Sequence, residues 1–586
     1  MGGEPVSSGS LTNSRIPAAE VIGVIALTGC ALGLRAWGFG DTGLGQFDEG
    51  VYAFTGLGLT DPSQPYRMFP EQQKFSPLVY VSLVALSYLL RGASAHSAIL
   101  VNVIVGTLSV LGVWWIARRW FGAAAAIGAA VFTALSEAHV ILSRTALTDV
   151  TFTLLFFIAL AAMVWSLERG GSWRAVVAGV LVGLAWNTKY HGWFALVIVA
   201  MAIVARGFVG RDNAGERAWT IMSAKRWLVS AVVAGLCYLP WAAFIQLQPG
   251  ATGGWSSYFA TMLRTDWLGN VARHAAQQGW LEGPWSRASV PLAFLAMTLV
   301  SPAARRRFGP WCVMLAILCA GALTLGAVGT AALAVVLGIP GLRRSPVSLA
   351  TMVMLALVVL WVVMAPLYHP YFRLLLPFVM ALHVMAAAML ARWLEGDDVF
   401  RLTFWRPAPP SPGSATAPDS MRARVPRLAS GLVAVLLTVL VGGWLTDHSN
   451  PWRPARSFAA AADSISARIP SGAPVMVLGE PPLAFYLHQR GHPAFRRVTV
   501  TMLDAQTEPG YLVVGRYATA APALRARLDA RAQRLTLLDT IYFTPTDLRL
   551  LDDLAPALAT SYRQQPDSRY ELLLYRHVPP DTGTSR

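Results

Sequence analysis

Two adjacent carboxylates, Asp48 and Glu49, stand in the stretch LGQFDEGVYAF, just past the first long apolar run of a chain poor in charge. Aromatic residues and glycines flank them, which suits a backbone packed against something. Further ionisable groups lie where apolar runs meet: Lys74 in KFSPLVY, Arg144 and Asp149 in SRTALTDV, Lys189 with Tyr190 and His191 in NTKYHGW, and Arg373 with His369 and Tyr371 in LYHPYFRLLLPF. Each has an ordinary explanation when taken alone. Lys and Arg stems can lie along apolar surface with their heads in water, an Asp can cap a helix, and a carboxylate pair can sit in solvent. Their shared position argues otherwise, because ionisable groups at membrane depth are costly and usually functional.

The residue types indicate a chemistry. Lys74, Arg144, Lys189 and Arg373 form a cationic lining that needs an anion, and a phosphate at lipid-headgroup level fits it. A phosphate cradle beside a carboxylate suits attack by an acceptor hydroxyl on a sugar joined through its anomeric carbon to a lipid phosphate. The carboxylate takes the hydroxyl proton. Phosphate leaves as a weak base, so it needs cations around it and no protonating acid. A glycoside hydrolase would need a second carboxyl group for its leaving oxygen. Tyr52, Tyr190, His191, His369 and Tyr371 are then candidates for the substrate cavity. Glu49 reads either as a group that orients Asp48 or the acceptor, or as a plain helix-start acid. Asp48, Glu49 and Asp149 could hold a divalent metal, but no ligand spacing demands one.

The elements that must position these groups are membrane helices. The 586 residues are 55% hydrophobic and 13% charged, with mean hydropathy +0.49, against about 25% charged in a soluble domain. The formal net charge of +16 raises nucleic acid as a partner. That reading is rejected, because Lys and Arg cluster in short loops between apolar runs, as in the positive-inside pattern. The partner surface is a lipid bilayer. The cysteines Cys30, Cys237, Cys312 and Cys319 all lie in apolar runs, so neither a disulfide framework nor a CxxC site is expected. The start, MGGEPVSSGSLTNSR, is polar and leads into a first helix that reads as retained.

Apolar runs fall at about 17–37, 75–90, 96–117, 122–142, 149–167, 173–188, 190–207, 227–246, 289–301, 309–325, 327–341, 347–366, 370–391 and 429–446. If every run crossed, Arg118–Arg119 and most later basic loops would face outside. If the weakest, 75–90, lies along the outer surface, the basic loops fall inside and the candidate site residues outside. The expected fold is therefore an all-α polytopic membrane protein of about thirteen spans, with a small C-terminal α/β domain. Residues 1–395 form the transmembrane catalytic domain, and 396–428, with RPAPPSPGSATAPDS, a flexible basic cytoplasmic linker. Residues 429–446 form the last span and 447–586 an extracytoplasmic accessory domain. In that domain APVMVLG, GYLVVGRY, LTLLDTIYF and RYELLLYRHV read as strands, and SFAAAADSISARI and AAPALRARLDARAQRL as helices. His488 and His492 in YLHQRGHP have a metal-like look, but in an irregular segment they read as surface residues.

Over about 17–391 the ordered motifs resemble those of the GT-C membrane glycosyltransferases, in the branch of the protein O-mannosyltransferases and the lipid A aminoarabinose transferase. They are FDEGVYA in the first outer loop, KFSPLVYVSLVALSYLLRG where the family has Lys-Pro-Pro-Leu, ARRWFG at an inner turn, RTALTDV at the next outer turn, GLAWNTKYHG and HPYFRLLLPF. The resemblance implies an inverting hexosyl- or pentosyltransferase in the plasma (inner) membrane, with its active site on the extracytoplasmic side. It implies a polyprenyl-phosphate sugar donor and a glycan, lipid or protein acceptor. By position it makes Asp48 the catalytic aspartate with Glu49 beside it, Lys74 a contact of the lipid phosphate, and Asp149 a second acid near the site. Two departures stand out: Phe75–Ser76 follows Lys74 in place of Pro-Pro, and Phe372–Arg373 replaces the Arg-Tyr order.

Other classes remain to be weighed. A transporter or lipid flippase could line its path with the same charges, but its acids belong near the bilayer midplane on broken helices. A polymerase or ligase of the O-antigen type would commonly lack a paired acid in the first outer loop. An oligosaccharyltransferase is disfavoured, since the C-terminal region holds no Trp-Trp-Asp.

Overall fold

The computed structural model describes residues 16–61, 78–209, 213–247, 263–301, 308–342, 347–395, 457–492, 510–515, 522–530, 532–543 and 570–578. Lys74, the linker 396–428 and the expected last span 429–446 lie outside the described residues. Every other apolar run coincides with helix. The chain passes through α1 (Ala18–Ala36), α2 (Phe47–Thr60), α3 (Leu78–Arg91), α4 (Ala95–Phe121), α5 (Ala123–Leu135), α6 (Glu137–Ser143), α7 (Asp149–Arg169), α8 (Ser172–Trp186), α9 (Phe194–Val209) and α10 (Ala214–Gln246). It continues through α11 (Trp267–Leu281), α12 (Pro284–Val300), α13 (Phe308–Thr324), α14 (Gly326–Leu342), α15 (Leu349–Met364) and α16 (Leu376–Glu395).

Among the described residues, seven helices are long and apolar enough to cross a membrane, or eight if the bent pair α5–α6 is one span. Four further expected spans within the described residues are helices of 15 to 17 residues, shorter than the roughly 20 that a bilayer core asks for. Backbone breaks shorten them. Gly170 and Gly171 (φ 69° and 91°) separate α7 from α8, and Gly326 (φ 73°) separates α13 from α14. The 75–90 run gives α3, a 14-residue helix packed along α2, where Gly56 lets Val84 approach.

The bundle has two chemically different ends. Arg118, Arg169, Arg174, Arg206 and Arg226 share one end. There Arg118 pairs with Glu20 at 2.7 Å, Arg206 pairs with Glu216 at 2.9 Å, and Arg226 donates to the Leu167 carbonyl at 3.1 Å. The described candidate site residues sit at the other end. The 57° bend between α5 and α6 leaves helix carbonyls without their usual partners. The fully buried Arg35 of α1 donates to Thr133 O (3.2 Å) and Ala134 O (3.4 Å), and its Nη1 also meets Ala31 O at 3.0 Å. Its Nε also donates to Ser143 Oγ at 3.3 Å and its Nη2 lies 2.8 Å from His139 Nδ1, so Arg35 ties α6 to α1 and α5, and α6 leads directly into the 144–148 turn.

The C-terminal residues form α17 (Ser457–Ser466), β1 (Val475–Leu478), α18 (Pro481–Gln489), β2 (Gly510–Val514), α19 (Pro522–Asp529), β3 (Leu535–Phe543) and β4 (Tyr570–His577). The sheet order is β1-β2-β4-β3, with β1 and β2 parallel and the other pairs antiparallel. All four expected strands are present. One sheet face buries Val475, Val477, Val513 and Leu572 against α17 and α18, and the other gathers Met476, Leu478, Leu512 and Val514.

The segment around His488 and His492 corrects the sequence reading. Pro481 and Pro482 open α18 at positions whose N–H groups have no helical acceptor, and His488 lies in its last turn. His492 is buried, with Nδ1 3.1 Å from Ala473 O and Nε2 3.1 Å from Ser466 Oγ. His492 is therefore a buried, hydrogen-bonded group rather than a loose surface one.

Candidate active site

The site begins with the start of α2. Gln46 caps the helix, its side chain accepting from Asp48 N at 2.6 Å. Glu49 completes the reciprocal cap. Its Oε2 accepts from Gly45 N and Gln46 N, each at 2.8 Å, and its Oε1 accepts from Ala146 N at 2.7 Å. One carboxylate therefore fixes the first turn of α2 and ties it to the 144–148 turn. Burial pushes the Glu49 carboxyl above its ordinary range, and the amide bonds pull it back.

Asp48 points elsewhere. Its side chain is 30% exposed, and Oδ2 receives Arg373 Nη2 at 2.6 Å. Its Oδ1 makes no hydrogen bond among the described residues. Arg373 stands in the short turn Phe372–Leu375, with Nη1 4.0 Å from Asp149 Oδ2. Asp149, the first residue of α7, is 1% exposed at its side chain and pairs through Oδ1 with Lys189. A row of alternating charge results, Asp48–Arg373–Asp149–Lys189, assembled from α2, the 372–375 turn, α7 and the α8–α9 junction.

Aromatic rings line this row. Tyr52 lies within the field of Asp48, Arg373 and Asp149, and burial holds its phenol well above the usual value, so it stays a neutral donor. Tyr52 packs edge-on to Tyr80 at 5.6 Å. Tyr371 lies under the Arg373 guanidinium at 5.3 Å, and Tyr368 links its ring to that of Tyr190.

The remaining expected residues are placed differently. His191 is buried in an aromatic cluster with Phe152 (4.5 Å) and Trp361 (5.9 Å). His369 turns toward the segment leading into α11, where its Nδ1 lies 3.0 Å from Arg264 Nη2. Arg144 is 7% exposed, and both Nη atoms lack a hydrogen-bond partner among the described residues. It joins neither Asp48 nor Asp149. Among the described residues no three His, Cys, Asp or Glu side chains converge to hold a metal, and Arg373 occupies the space between Asp48 and Asp149.

Two contributors escaped the sequence reading. Asn102 in α4 donates to Thr145 O at 2.7 Å and to Leu147 O, and accepts from Thr151 Oγ1 at 2.9 Å. It thereby fixes the turn that presents Asp149. Its signal was a single amide inside the apolar run ILVNVIVG, where an unpaired polar group would be expensive. The second is α11, which straps the 363–369 turn. Trp267 Nε1 donates to Val363 O (3.1 Å), Asn270 Nδ2 to Pro366 O (2.8 Å) and Arg264 N to Leu367 O (2.9 Å). Beneath α11 lies a cavity of about 320 Å³, walled by apolar groups such as Val271, Val328, Trp361, Leu375 and Phe378. Its acid, Glu282, is occupied by Ala327 N (2.7 Å) and Val328 N (2.9 Å) at the start of α14.

Residues 76–244 match the family described as dolichyl-phosphate-mannose-protein mannosyltransferase. No curated protein matches the sequence. Among solved structures, ArnT from Cupriavidus metallidurans bound to undecaprenyl phosphate is similar over 96% of this chain and 99% of that one, at 15% identity and TM-score 0.51. The oligosaccharyltransferase AglB from Archaeoglobus fulgidus, in complex with an inhibitory peptide and a dolichol-phosphate, is similar over 91% of this chain and 77% of that one, at 13% identity and TM-score 0.52. The Archaeoglobus fulgidus oligosaccharyltransferase in complex with Zn and sulfate covers 93% and 80%, at 14% identity and TM-score 0.51. The fold is the GT-C fold that the ordered motifs led one to expect.

Proposed function

We propose that this multi-pass membrane protein is a glycosyltransferase that moves a sugar from a polyprenyl-phosphate donor to an acceptor hydroxyl at the outer face of the plasma membrane, with inversion. The observation that carries the reading is the row Asp48–Arg373–Asp149–Lys189, which sets an open carboxylate oxygen beside two cations at one end of a membrane bundle. The family match over 76–244 and the ArnT and AglB structures, solved with undecaprenyl phosphate and a dolichol-phosphate, support the donor class.

In this mechanism Asp48 is the general base. Its Oδ1 takes the proton of the acceptor hydroxyl while that oxygen attacks the anomeric carbon. The bond from carbon to phosphate oxygen breaks, and its electron pair leaves with the phosphate. Arg373 and Lys189 meet the growing charge on that phosphate, with Lys74 and Arg144 as further cations for it. The forked guanidinium of Arg373 can hold Asp48 and meet a phosphate oxygen together. Asp149 keeps Lys189 and Arg373 in place, and Glu49 holds Asp48 in register. Tyr52, Tyr190 and Tyr371 supply rings and hydroxyls to the substrate cavity. The apolar cavity under α11, lined by Leu375 two residues after Arg373, is the candidate site for the prenyl chain.

The test is mass spectrometry of envelope glycolipids and glycoproteins from cells carrying the wild-type protein, the Asp48→Asn variant at equal abundance, or no copy. A sugar present with the wild type and lost in the other two supports the reading. Identical profiles in all three sink it.

A further inference from the structure

We propose that the C-terminal domain is part of the catalytic scaffold, with α18 clamping the helix that carries Asp48 and Tyr486 acting as a positioning residue for it. This rests on the reading of Asp48 as the base. The sequence suggests an accessory domain that follows the last span, and side-chain contacts also join it to α2 and to the end of α3.

The Leu44 amide donates to the Tyr486 hydroxyl at 2.8 Å, and both residues are buried. Leu44 immediately precedes Gly45 and Gln46, whose amides bind Glu49. The Tyr486 hydroxyl therefore anchors the strand of chain entering the cap of α2. Gly50, two residues after Asp48, lies directly on the start of α18. A Cβ there would stand 2.3 Å from Pro481 C and 2.3 Å from Pro482 N, both backbone atoms that cannot swing aside. This close approach is what requires glycine in FDEG, since Gly50 has no positive φ. One turn further on, Phe54 packs edge-on to Phe485 at 5.5 Å, and Tyr88 of α3 stacks on the same ring at 6.5 Å. Gln489 at the end of α18 donates to Ala93 O at 3.0 Å, beyond α3.

One nine-residue helix thus holds both sides of the first outer loop. The need for it is physical. A 14-residue helix is marginal without packing, and its first turn, where Asp48 sits, is the part most prone to fray. A displacement of about 1 Å at a reacting group can cost on the order of a hundred-fold in rate. The helix α3 and the 144–148 turn secure one side of α2, and α18 secures the other.

Hydrogen–deuterium exchange and transfer kinetics on the full-length protein in lipid nanodiscs test this. Tyr486→Phe keeps the ring and removes only the hydroxyl. It should raise exchange in the 44–54 peptide and lower kcat on the order of ten-fold with donor KM unchanged. Gly50→Ala should do both more strongly. Tyr542→Phe, on exposed β3 of the same domain, should alter neither. Unchanged exchange in Tyr486→Phe overturns the clamp, as does a rise in KM at constant kcat. Should Gly50→Ala fail to fold, Tyr486→Phe still decides. Should the wild type transfer no sugar, the proposed function falls while the exchange data still judge the clamp.

Discussion

Replacing Asp48 and Asp149 by Asn, one at a time, makes the same chemical change in two different environments. Asp48 is 30% exposed and bonded to an Arg373 that is 10% exposed. The Asn carbonyl can still accept from Arg373, so the loss is that of a partly solvated ion pair, about 1 kcal/mol or less. The loss of a general base costs about 10²–10⁴-fold in rate. Asp149 is 1% exposed and pairs with a Lys189 that is 10% exposed. Asn there leaves a buried ammonium without its counter-charge, and breaking such a pair costs on the order of 3–5 kcal/mol. Asp48→Asn should therefore unfold at nearly the wild-type temperature and be almost inactive, whereas Asp149→Asn should lose much of its stability. Tryptophan fluorescence on heating, with the full-length protein in nanodiscs, measures the first quantity. Release of polyprenyl phosphate from a polyprenyl-phosphate sugar measures the second. Near wild-type turnover by a folded Asp48→Asn protein refutes the assignment of the base. Equal thermal stability of Asp149→Asn refutes the burial argument for Lys189.

Other outcomes follow from the same geometry. Arg144→Gln removes a buried guanidinium that has no partner among the described residues; it should leave stability unchanged or raised, and weaken donor binding by about 1.5–3 kcal/mol, read as donor KM beside the unfolding temperature. Asn102→Leu leaves Thr145 O and Leu147 O without their donor, so it should lower stability by about 2–4 kcal/mol and reduce kcat through the loosened Asp149 turn. Burial, followed by the Arg264 charge, holds the His369 imidazole below its ordinary value. Its contribution is intact above the unfolded pKa of about 6.5 and is lost as pH falls below that, because the unfolded chain then binds the proton more readily. Protection of the 263–270 peptide, corrected for the intrinsic pH dependence of amide exchange, should accordingly fall between neutral and mildly acidic pH, and His369→Gln should abolish that dependence.

Helix placement was legible in the sequence because apolar run length is a local property. Each run within the described residues became a helix where the composition put it, and the four C-terminal strands appeared where β-branched and aromatic residues concentrate. The sequence also set the two ends of the bundle apart, since a stretch of arginines beside an apolar run depends on no distant partner. It singled out Asp48, Asp149, Lys189 and Arg373 as ions too costly to be there idly. What it could not supply was their pairing. Asp48 and Arg373 are 325 residues apart, and a charge in a sequence states only that it needs a partner. Tertiary structure decided that Glu49 caps a helix through three amides, that Arg144 stands apart, that His369 faces the segment leading into α11 and that Asn102 secures the Asp149 turn. It also converted YLHQRGHP from an irregular stretch into the end of a helix docked on α2. The physical reason is the same in each case. Backbone propensity and hydrophobic burial act along a few neighbouring residues, whereas hydrogen bonds and ion pairs are made or lost within a few tenths of an ångström between segments brought together only by folding.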